Sequence, residues 1–173
     1  MNVISFCPFP VLITKRLVLR QLTYNDANEL FAIRSNEIVG KYVDRQPAKT
    51  VEDAGQFIER ITKFIANNES VLWGITIGNN DKIIGTVCLW QFSENKDKAE
   101  IGYELLPEWK GRGIMNEAIV KVIDYGFNTL NLNSIGAETY PDNEASLKLL
   151  ERNGFVYTGK FEKFSVFVLN KSK

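Results

Sequence analysis

A glycine-containing turn is the stretch of this sequence whose residues are best suited to chemistry. Lys110-Gly111-Arg112-Gly113 joins an apolar strand pattern, ending AEIGYELL, to a long amphipathic helix. Glycines allow the backbone N–H groups to converge there, and the helix dipole, Lys110 and Arg112 add positive charge. Because proteins hold phosphate groups in this way, the stretch predicts a bound diphosphate. Two glycines alone are also compatible with a plain strand-to-helix turn.

The chain contains no histidine, which limits how it can move protons. Any proton transfer must use a carboxylate, a hydroxyl, a phenol, a thiol or water, so histidine-based triads and HExxH zinc sites are excluded. Cys7 and Cys88 form no CxxC motif, which argues against a disulfide framework or a zinc site. We expect no metal, and Cys88 is interpreted as a core residue.

The composition describes a chain without a dominant charge. The 173 residues are 45% hydrophobic, and 21 basic residues balance 21 acidic ones. No global field draws such a protein to nucleic acid or to an anionic membrane. The apolar start is broken by Pro8 and Pro10 and has no basic leader, and no apolar run reaches the roughly 18 residues of a membrane span. We expect one domain over 1–173 in a soluble, cytoplasmic protein with no nucleic-acid or membrane partner.

The hydrophobic periodicity predicts the elements that position this turn, in the order β-α-α-β-β-β-α-β-α-β-β. Residues 36–49 have no period and are predicted to be a functional loop. Thr23 and Thr50 are each followed three positions later by an aspartate, as in a capping box. Strands are predicted at 16–22, 71–77, 82–92, 98–106, 134–139, 155–157 and 164–169, and helices at about 24–35, 51 to 67–69, 114 to 128–133 and 143–153.

Several blocks of the chain carry a family resemblance. They are TKRLVLRQLTYNDANELF, LWGITI, KIIGTVCLW, AEIGYELLPEWKGRGIMNEA and TYPDNEASLKLLERNGF, in that order, and they cover about 14–159. Together they resemble the GNAT N-acetyltransferase superfamily, and within it the RimJ/RimL-like branch that acetylates protein N-termini and related amines. The resemblance implies an α+β fold, with a mostly antiparallel sheet of about seven strands flanked by four helices. It also implies that the sheet opens after the fourth strand.

The resemblance implies acetyl-CoA as co-substrate and assigns residues to it. Backbone groups of the predicted fourth strand would pair with the pantetheine amides, and the glycine turn would surround the diphosphate. The family motif Gln/Arg-x-x-Gly-x-Gly/Ala has Glu108 in its first place here, which leaves the backbone contacts intact. The residues so assigned are Tyr103, Glu104 and Leu105 for pantetheine and Lys110, Gly111, Arg112, Gly113, Ile114 and Met115 for the diphosphate.

Two further residues match the family's Asn-x-x-Ser. The match implies that Asn143 lies toward the pantetheine arm and Ser146 near the thioester sulfur. Asn143 could equally cap its own helix, with Ser146 bonding locally. Many family members carry a tyrosine further along this helix as general acid, but this chain has Leu150 there. Ser146 is then the nearest candidate for the acid.

Acyl transfer to an amine requires the amine to lose a proton before attack. Glu100, on the strand expected beside the coenzyme, is the first candidate for the base, and Glu104 on the same strand face is the second. Both could also be carboxylates on a solvated strand face. Much of the rate enhancement can come from juxtaposing the amine and the thioester in a ternary complex.

Two other functions stay open at this level. A nucleotide-binding redox module could use a GxG turn, although Asn116 replaces the third glycine of GxGxxG and three antiparallel strands precede the turn. A non-catalytic acyl-CoA-binding sensor or scaffold would need only the coenzyme site.

The amine itself is not specified by the sequence. Protein N-termini, polyamines, aminoglycosides and small amino compounds are all candidates, and the protein could be a monomer or a homodimer. The acceptor groove would be built by the first two helices, residues 36–49 and the last strands. Charges of both signs alternate there, so no single sign selects a ligand: Asp26, Glu29, Glu37 and Asp44 with Arg34, Lys41 and Arg45.

Overall fold

The computed structural model describes residues 4–172, and an eight-stranded sheet forms its centre. The spatial order is β1-β2-β3-β4-β5-β6-β8-β7, and all neighbouring strands are antiparallel except β5 and β6. The mixed, mostly antiparallel fold class is thus confirmed, with one short strand more than predicted. The strands are β1 (Leu12–Ile13), β2 (Leu17–Arg20), β3 (Val71–Ile77), β4 (Gly85–Trp90), β5 (Lys98–Leu105), β6 (Ser134–Thr139), β7 (Val156–Phe161) and β8 (Phe164–Asn170).

Five α-helices accompany the sheet in the described residues. They are α1 (Ala27–Ser35), α2 (Glu37–Gly40), α3 (Val51–Ala66), α4 (Ile114–Asp124) and α5 (Glu144–Arg152), and a π-helical turn continues α4 through Thr129. The prediction of a continuous loop over 36–49 is wrong at its start, where α2 begins after Asn36. The side-chain oxygen of Asn36 accepts the N–H groups of Ile38 and Val39, at 3.0 and 3.1 Å, and so starts the single turn α2.

A buried apolar core fixes α4 against the sheet. Ile114, Ala118, Ile119 and Val122 form its predicted apolar stripe and are all buried. The fully buried Trp73 of β3 meets the ring of Tyr125, just after α4, edge to face at 5.6 Å. This packing fixes the position of α4, and with it the glycine turn, against the sheet.

The sheet opens between its two parallel strands. β5 and β6 pair only where Lys98, Ala99 and Glu100 lie opposite Ser134, Ile135 and Gly136. Beyond this point β6 remains paired with β8 along its whole length. The remainder of β5, residues 101–105, keeps β4 as its neighbour and leaves its other edge facing a gap. This is the opening that the family resemblance implied after the fourth predicted strand.

A buried ion pair ties β2 to the start of α1. The guanidinium of Arg20 contacts both carboxylate oxygens of Asp26, at 2.9 and 2.7 Å, and the Thr23 N–H donates to the same carboxylate at 2.7 Å. Burial acts to raise the pKa of Asp26, but these hydrogen bonds hold that pKa below its ordinary value. The ionised form of Asp26 therefore stabilises the fold.

Asp26→Asn is expected to lower the free energy of unfolding at neutral pH by about 1 to 3 kcal/mol. Because the native pKa lies below the unfolded value of about 3.9, the difference is fully present above that pH and disappears as the pH falls through the native pKa. Urea unfolding at pH 7 and near pH 2.5 measures it. Asp124→Asn, in an exposed pair with Lys121, is the control and should cost less than about 0.5 kcal/mol. Equal losses in both variants would contradict the assignment.

Candidate active site

The glycine turn adopts a conformation that other residues avoid. Gly111 and Gly113 have φ angles of +74° and +70°, and Gly113 immediately precedes α4. Such angles cost residues with a side chain about 1–2 kcal/mol. The first N–H groups of α4 have no intrahelical acceptor, and they lie at the positive end of the helix dipole. This arrangement can bind an anion.

Hydrogen bonds from the segment between β1 and β2 orient the turn. Glu117, in the first turn of α4, accepts the backbone N–H of Arg16 at 2.9 Å and its Nε–H at 2.6 Å, as well as the hydroxyl of Thr14. The Nη1 of Arg16 also donates to the carbonyl oxygen of Arg112 at 3.0 Å. The segment between β1 and β2 therefore fixes the direction in which the turn faces.

A cleft of about 440 Å³ lies between β5, the N-terminus of α4 and α5. Its volume is in the range of small-molecule sites. Of the predicted site residues, Glu100 and Arg112 do not line it, and Arg112 instead packs over the ring of Trp109 at 5.0 Å. The predicted residues that do line it are Tyr103, Glu104, Leu105, Lys110, Gly111, Gly113, Ile114, Met115, Asn143 and Ser146.

Two of the residues that line this cleft form a pair of hydroxyl groups. The phenol oxygen of Tyr103 and Oγ of Ser146 are 2.6 Å apart, and Ser146 is buried. Burial raises the pKa of Tyr103 to about 12, against the opposing effect of the Ser146 hydrogen bond. The phenol therefore keeps its proton at neutral pH and can donate it. Asn143 caps α5 through its contact with the Ser146 N–H at 3.3 Å, so the local capping role is present.

The two predicted carboxylates have different surroundings. Glu100 lies opposite Gly136, at the last paired position before the gap, on the face of β5 away from Tyr103. Burial, and then the charge of Glu138, raise its pKa. Glu104 contacts the Nε of Arg45 at 2.8 Å. Glu100 is thus the carboxylate better suited to accept a proton, and Glu104 is held by an ion pair.

Residues 41–45 cross the open end of the gap. Arg45 contacts Glu104 on β5, and the hydroxyl of Tyr42 donates to the carbonyl oxygen of Asp142, after β6, at 3.3 Å. Asp44 also pairs with Lys163, in the turn between β7 and β8, at 2.8 Å. We call residues 41–45 the crossing segment.

The match to known proteins decides the family. A family model described as an acetyltransferase (GNAT) domain matches residues 16–156. The chain belongs to the GNAT acetyltransferase family. The family resemblance of the sequence is confirmed, and the protein is an acetyltransferase. Neither a redox module nor a non-catalytic acyl-CoA-binding protein is supported by these comparisons.

Individual relatives of this GNAT protein cover nearly all of it. It is 37% identical over 156 residues to the uncharacterized N-acetyltransferase YoaA of Bacillus subtilis, covering 90% of this chain and 88% of that protein. The ribosomal-protein-S5-alanine acetyltransferase of Vibrio fischeri has a similar structure, with a TM-score of 0.81, 24% identity and coverage of 93% and 96% of the two chains. RimL, the ribosomal L7/L12 alpha-N-protein acetyltransferase solved with coenzyme A, gives a TM-score of 0.82, 15% identity and coverage of 93% and 98%. At these identities the two structures establish a shared fold.

Sequence reasoning missed several side chains that line the cleft. Lys148 and Arg152 line the cleft from α5, and their i, i+4 spacing on one helix face was the available signal. The phenol of Tyr103 was also missed, since only its backbone was assigned. Its partner Ser146 is 43 residues away, and no local pattern reports such a contact.

Gly113→Ala is expected to raise the dissociation constant of acetyl-CoA about tenfold, because a side chain disfavours the +70° φ angle that turns the N–H groups toward the cleft. Gly78→Ala is the matched control. Gly78 also has a positive φ, +54°, but it lies after β3 and does not line the cleft. Isothermal titration calorimetry measures the binding, and unchanged affinity for Gly113→Ala would contradict the role of the turn.

Proposed function

We propose that this protein transfers the acetyl group of acetyl-CoA to a primary amine by direct attack in a ternary complex. The observation that carries the proposal is the gap beside β5, with a protonated phenol–hydroxyl pair on one face of the strand and Glu100 on the other. A thioester in this gap would be accessible to an amine from the Glu100 side. Its sulfur would be accessible to a proton donor from the Tyr103 side.

The turn and the two helices beside it fit the diphosphate of coenzyme A. Gly111 to Met115 supply backbone N–H groups, and Lys110, Lys148 and Arg152 supply positive charge around the cleft. The backbone of Tyr103, Glu104 and Leu105, on the open edge of β5, would pair with the pantetheine amides. Acetyl-CoA supplies the activated acyl group, and the protein contributes its orientation. RimL, with the same fold, was solved with coenzyme A, which supports this assignment.

The protons move to and from opposite faces of β5 in this proposal. Glu100 accepts the proton of the attacking amine, directly or through water. On the other face, Ser146 donates its proton to the leaving thiolate and is reprotonated by Tyr103, which then regains a proton from solvent. The high pKa of Tyr103 keeps the phenol protonated between turnovers. The Tyr103–Ser146 pair thus takes the place of the helix tyrosine that Leu150 replaces. General acid and base steps of this kind contribute typically 10²–10⁴-fold each.

An acyl-enzyme route is disfavoured by the state of the nearest thiol. Cys88 of β4 pairs with Gly102 of β5, close to the gap. Burial raises the pKa of Cys88 to about 12, so the thiol stays protonated at neutral pH. The thiolate is the nucleophilic form of cysteine. Direct attack by the amine is therefore the simpler route.

The acceptor class in the proposal is a protein N-terminal α-amine or a small primary amine. Both reach the gap from the face that carries Glu100, under the crossing segment. We place the reaction in the cytoplasm, where acetyl-CoA and such amines are found together. In residues 4–172 no helix combines the length and apolarity that a bilayer span requires.

A panel of amines incubated with acetyl-CoA tests the activity. Release of free thiol, together with an acetylated amine in the mass spectrum, is the expected result for at least one class among peptides, amino acids, polyamines and aminoglycosides. Acetyl-CoA at a hundredfold over its dissociation constant should also stabilise the fold by about 2.7 kcal/mol. Stabilisation by acetyl-CoA without acetylation of any amine would favour a binding protein instead.

Glu100→Gln is expected to lower turnover of a high-pKa amine about tenfold to a hundredfold, with little change in the Michaelis constant for acetyl-CoA. In the wild-type enzyme, turnover should fall as the pH drops through the pKa of Glu100, which burial and Glu138 raise above its ordinary value. Glu138→Gln removes the negative charge that helps to raise the pKa of Glu100. The fall in turnover at acidic pH, the acidic limb of the profile, should therefore move to lower pH while Glu100 remains the base. An acidic limb unchanged in both variants would show that another group accepts the proton.

Ser146→Ala is expected to lower turnover about tenfold to a hundredfold for every amine alike, since the leaving thiol is common to all. Tyr103→Phe should have a similar effect, and the double variant should lose little more than either single one, because the two hydroxyls act in one path. Tyr157→Phe, an exposed residue of β7, is the matched control. Losses in Tyr103→Phe and Ser146→Ala that simply multiply in the double variant would argue against a shared path.

A further inference from the structure

Arg34 is a half-buried cation without a hydrogen-bonded counter-ion. Its guanidinium carbon lies 3.9 Å from the ring centroid of Phe57 on α3. Among residues 4–172 no acceptor forms a hydrogen bond with this guanidinium. Burial, and then the positive charges of Arg45 and Arg60, lower its pKa to about 10, and Glu104 only partly opposes them. The five N–H donors of this side chain are thus available to a ligand.

Arg45, which lies beside Arg34, also has an N–H donor without a partner in the described part of the chain. Its side chain is 15% exposed, its Nε binds Glu104, and its Nη1 donates to the Arg34 carbonyl at 2.9 Å. Its Nη2 is buried and has no partner among the described residues. A buried donor left unpaired destabilises the protein, and an anionic oxygen that reached it would remove that cost. Glu104 binds Arg45 and partly offsets the positive charge around Arg34, to which Arg60 also contributes. We call Arg34, Arg45 and Arg60 the arginine cluster.

This arginine cluster lies on the acceptor side of the gap. The Glu104 side chain lies on the same face of β5 as that of Glu100, four residues or about 13 Å along the strand. Tyr103 and the leaving thiol would be on the other face. Glu100 and Glu138 make one end of the acceptor face acidic, and the arginine cluster makes the other end basic.

We propose that the amine acceptor carries a second, anionic group, a carboxylate or a phosphate, which binds the guanidinium groups of Arg34 and Arg45. This inference rests on the proposed acetyl transfer and narrows its substrate class. Arginine presents a planar fork of donors that matches carboxylate and phosphate oxygens in two-point contacts. An acidic peptide N-terminus or an amino acid has the required combination of charges. A polyamine would place additional positive charge beside three arginines.

The test compares amines that carry an acidic group with amines that lack one. The peptide pair is Ala-Asp-Ala-Ala and Ala-Asn-Ala-Ala, both amidated at the C-terminus, and the small-amine set is β-alanine, phosphoethanolamine, ethanolamine and spermidine. Wild-type protein should show kcat/KM at least tenfold higher for the acidic member of the peptide pair, mostly through KM. The ratio of kcat/KM to that of ethanolamine is then compared for β-alanine and phosphoethanolamine. A larger ratio for β-alanine identifies the anion as a carboxylate, and a larger ratio for phosphoethanolamine identifies it as a phosphate.

Arg34→Met should abolish this preference by raising KM for the acidic peptide by the same factor of at least ten, so that its kcat/KM falls to that of the asparagine peptide. Arg34→Lys keeps the charge but not the fork, and should recover only part of the preference. Lys63→Met, which removes an exposed charge from α3, should leave the preference intact. Circular dichroism and thermal unfolding confirm that each variant is folded.

Failure of this inference can be distinguished from failure of the proposed reaction. Equal kcat/KM for the two peptides would overturn the anion site while acetyl transfer stands. The same holds if spermidine is the best acceptor and its kcat/KM is unchanged in Arg34→Met. If no amine releases thiol, the N-acetylated peptide pair is tested by thermal shift in the presence of coenzyme A. Greater stabilisation by the aspartate peptide, lost in Arg34→Met, supports the anion site, and equal stabilisation overturns it.

Discussion

The short parallel pairing of β5 and β6 is the constraint on which the rest of the structure depends. Three residue pairs hold the two strands together, and β6 then stays with β8 while β5 stays with β4. A sheet edge inside a protein exposes unpaired N–H and C=O groups, which must find partners. An edge suited to an extended ligand thus follows from the strand pairing.

The divergence also separates the two halves of the chemistry. Successive side chains of a strand point to opposite faces, so Tyr103 and Glu104 are adjacent in sequence but lie on opposite faces of β5. The phenol meets Ser146 of α5, and the carboxylate meets Arg45 of the crossing segment. In the proposed mechanism, β5 would thereby carry the proton donor, the coenzyme contacts and the acceptor-side charges on separate faces and edges.

Periodicity and capping patterns were sufficient to predict most of the framework. The predicted bounds of β3 and β6 match the structure, the Thr50–Asp53 capping box forms as expected, and the two glycines of the turn have positive φ angles. These features depend on neighbours within a few residues. α2 was missed because it is one turn long and depends on the Asn36 cap rather than on an apolar period.

Features that depend on contacts distant in sequence were not predictable in the same way. The Tyr103–Ser146 hydrogen bond requires the strand to diverge and α5 to lie beside the gap. The charges of 26–45 alternate in sequence and predicted no preference for an anion or a cation. In the structure, however, Arg34 and Arg45 converge near a single carboxylate, while Asp26 is paired with Arg20. Folding, rather than composition, separates the two signs of charge.

The crossing segment gives the gap the topology of a ring. Its contour runs along β5 to Glu104, through Arg45 and Tyr42 to Asp142, and back along β6 to the paired residues. A ring has two mouths, one on each face of the sheet, and a ligand threaded from one side does not block the other. If acetyl transfer takes place in this gap as proposed, coenzyme and acceptor would have separate routes of entry and exit, and neither product would have to wait for the other to leave.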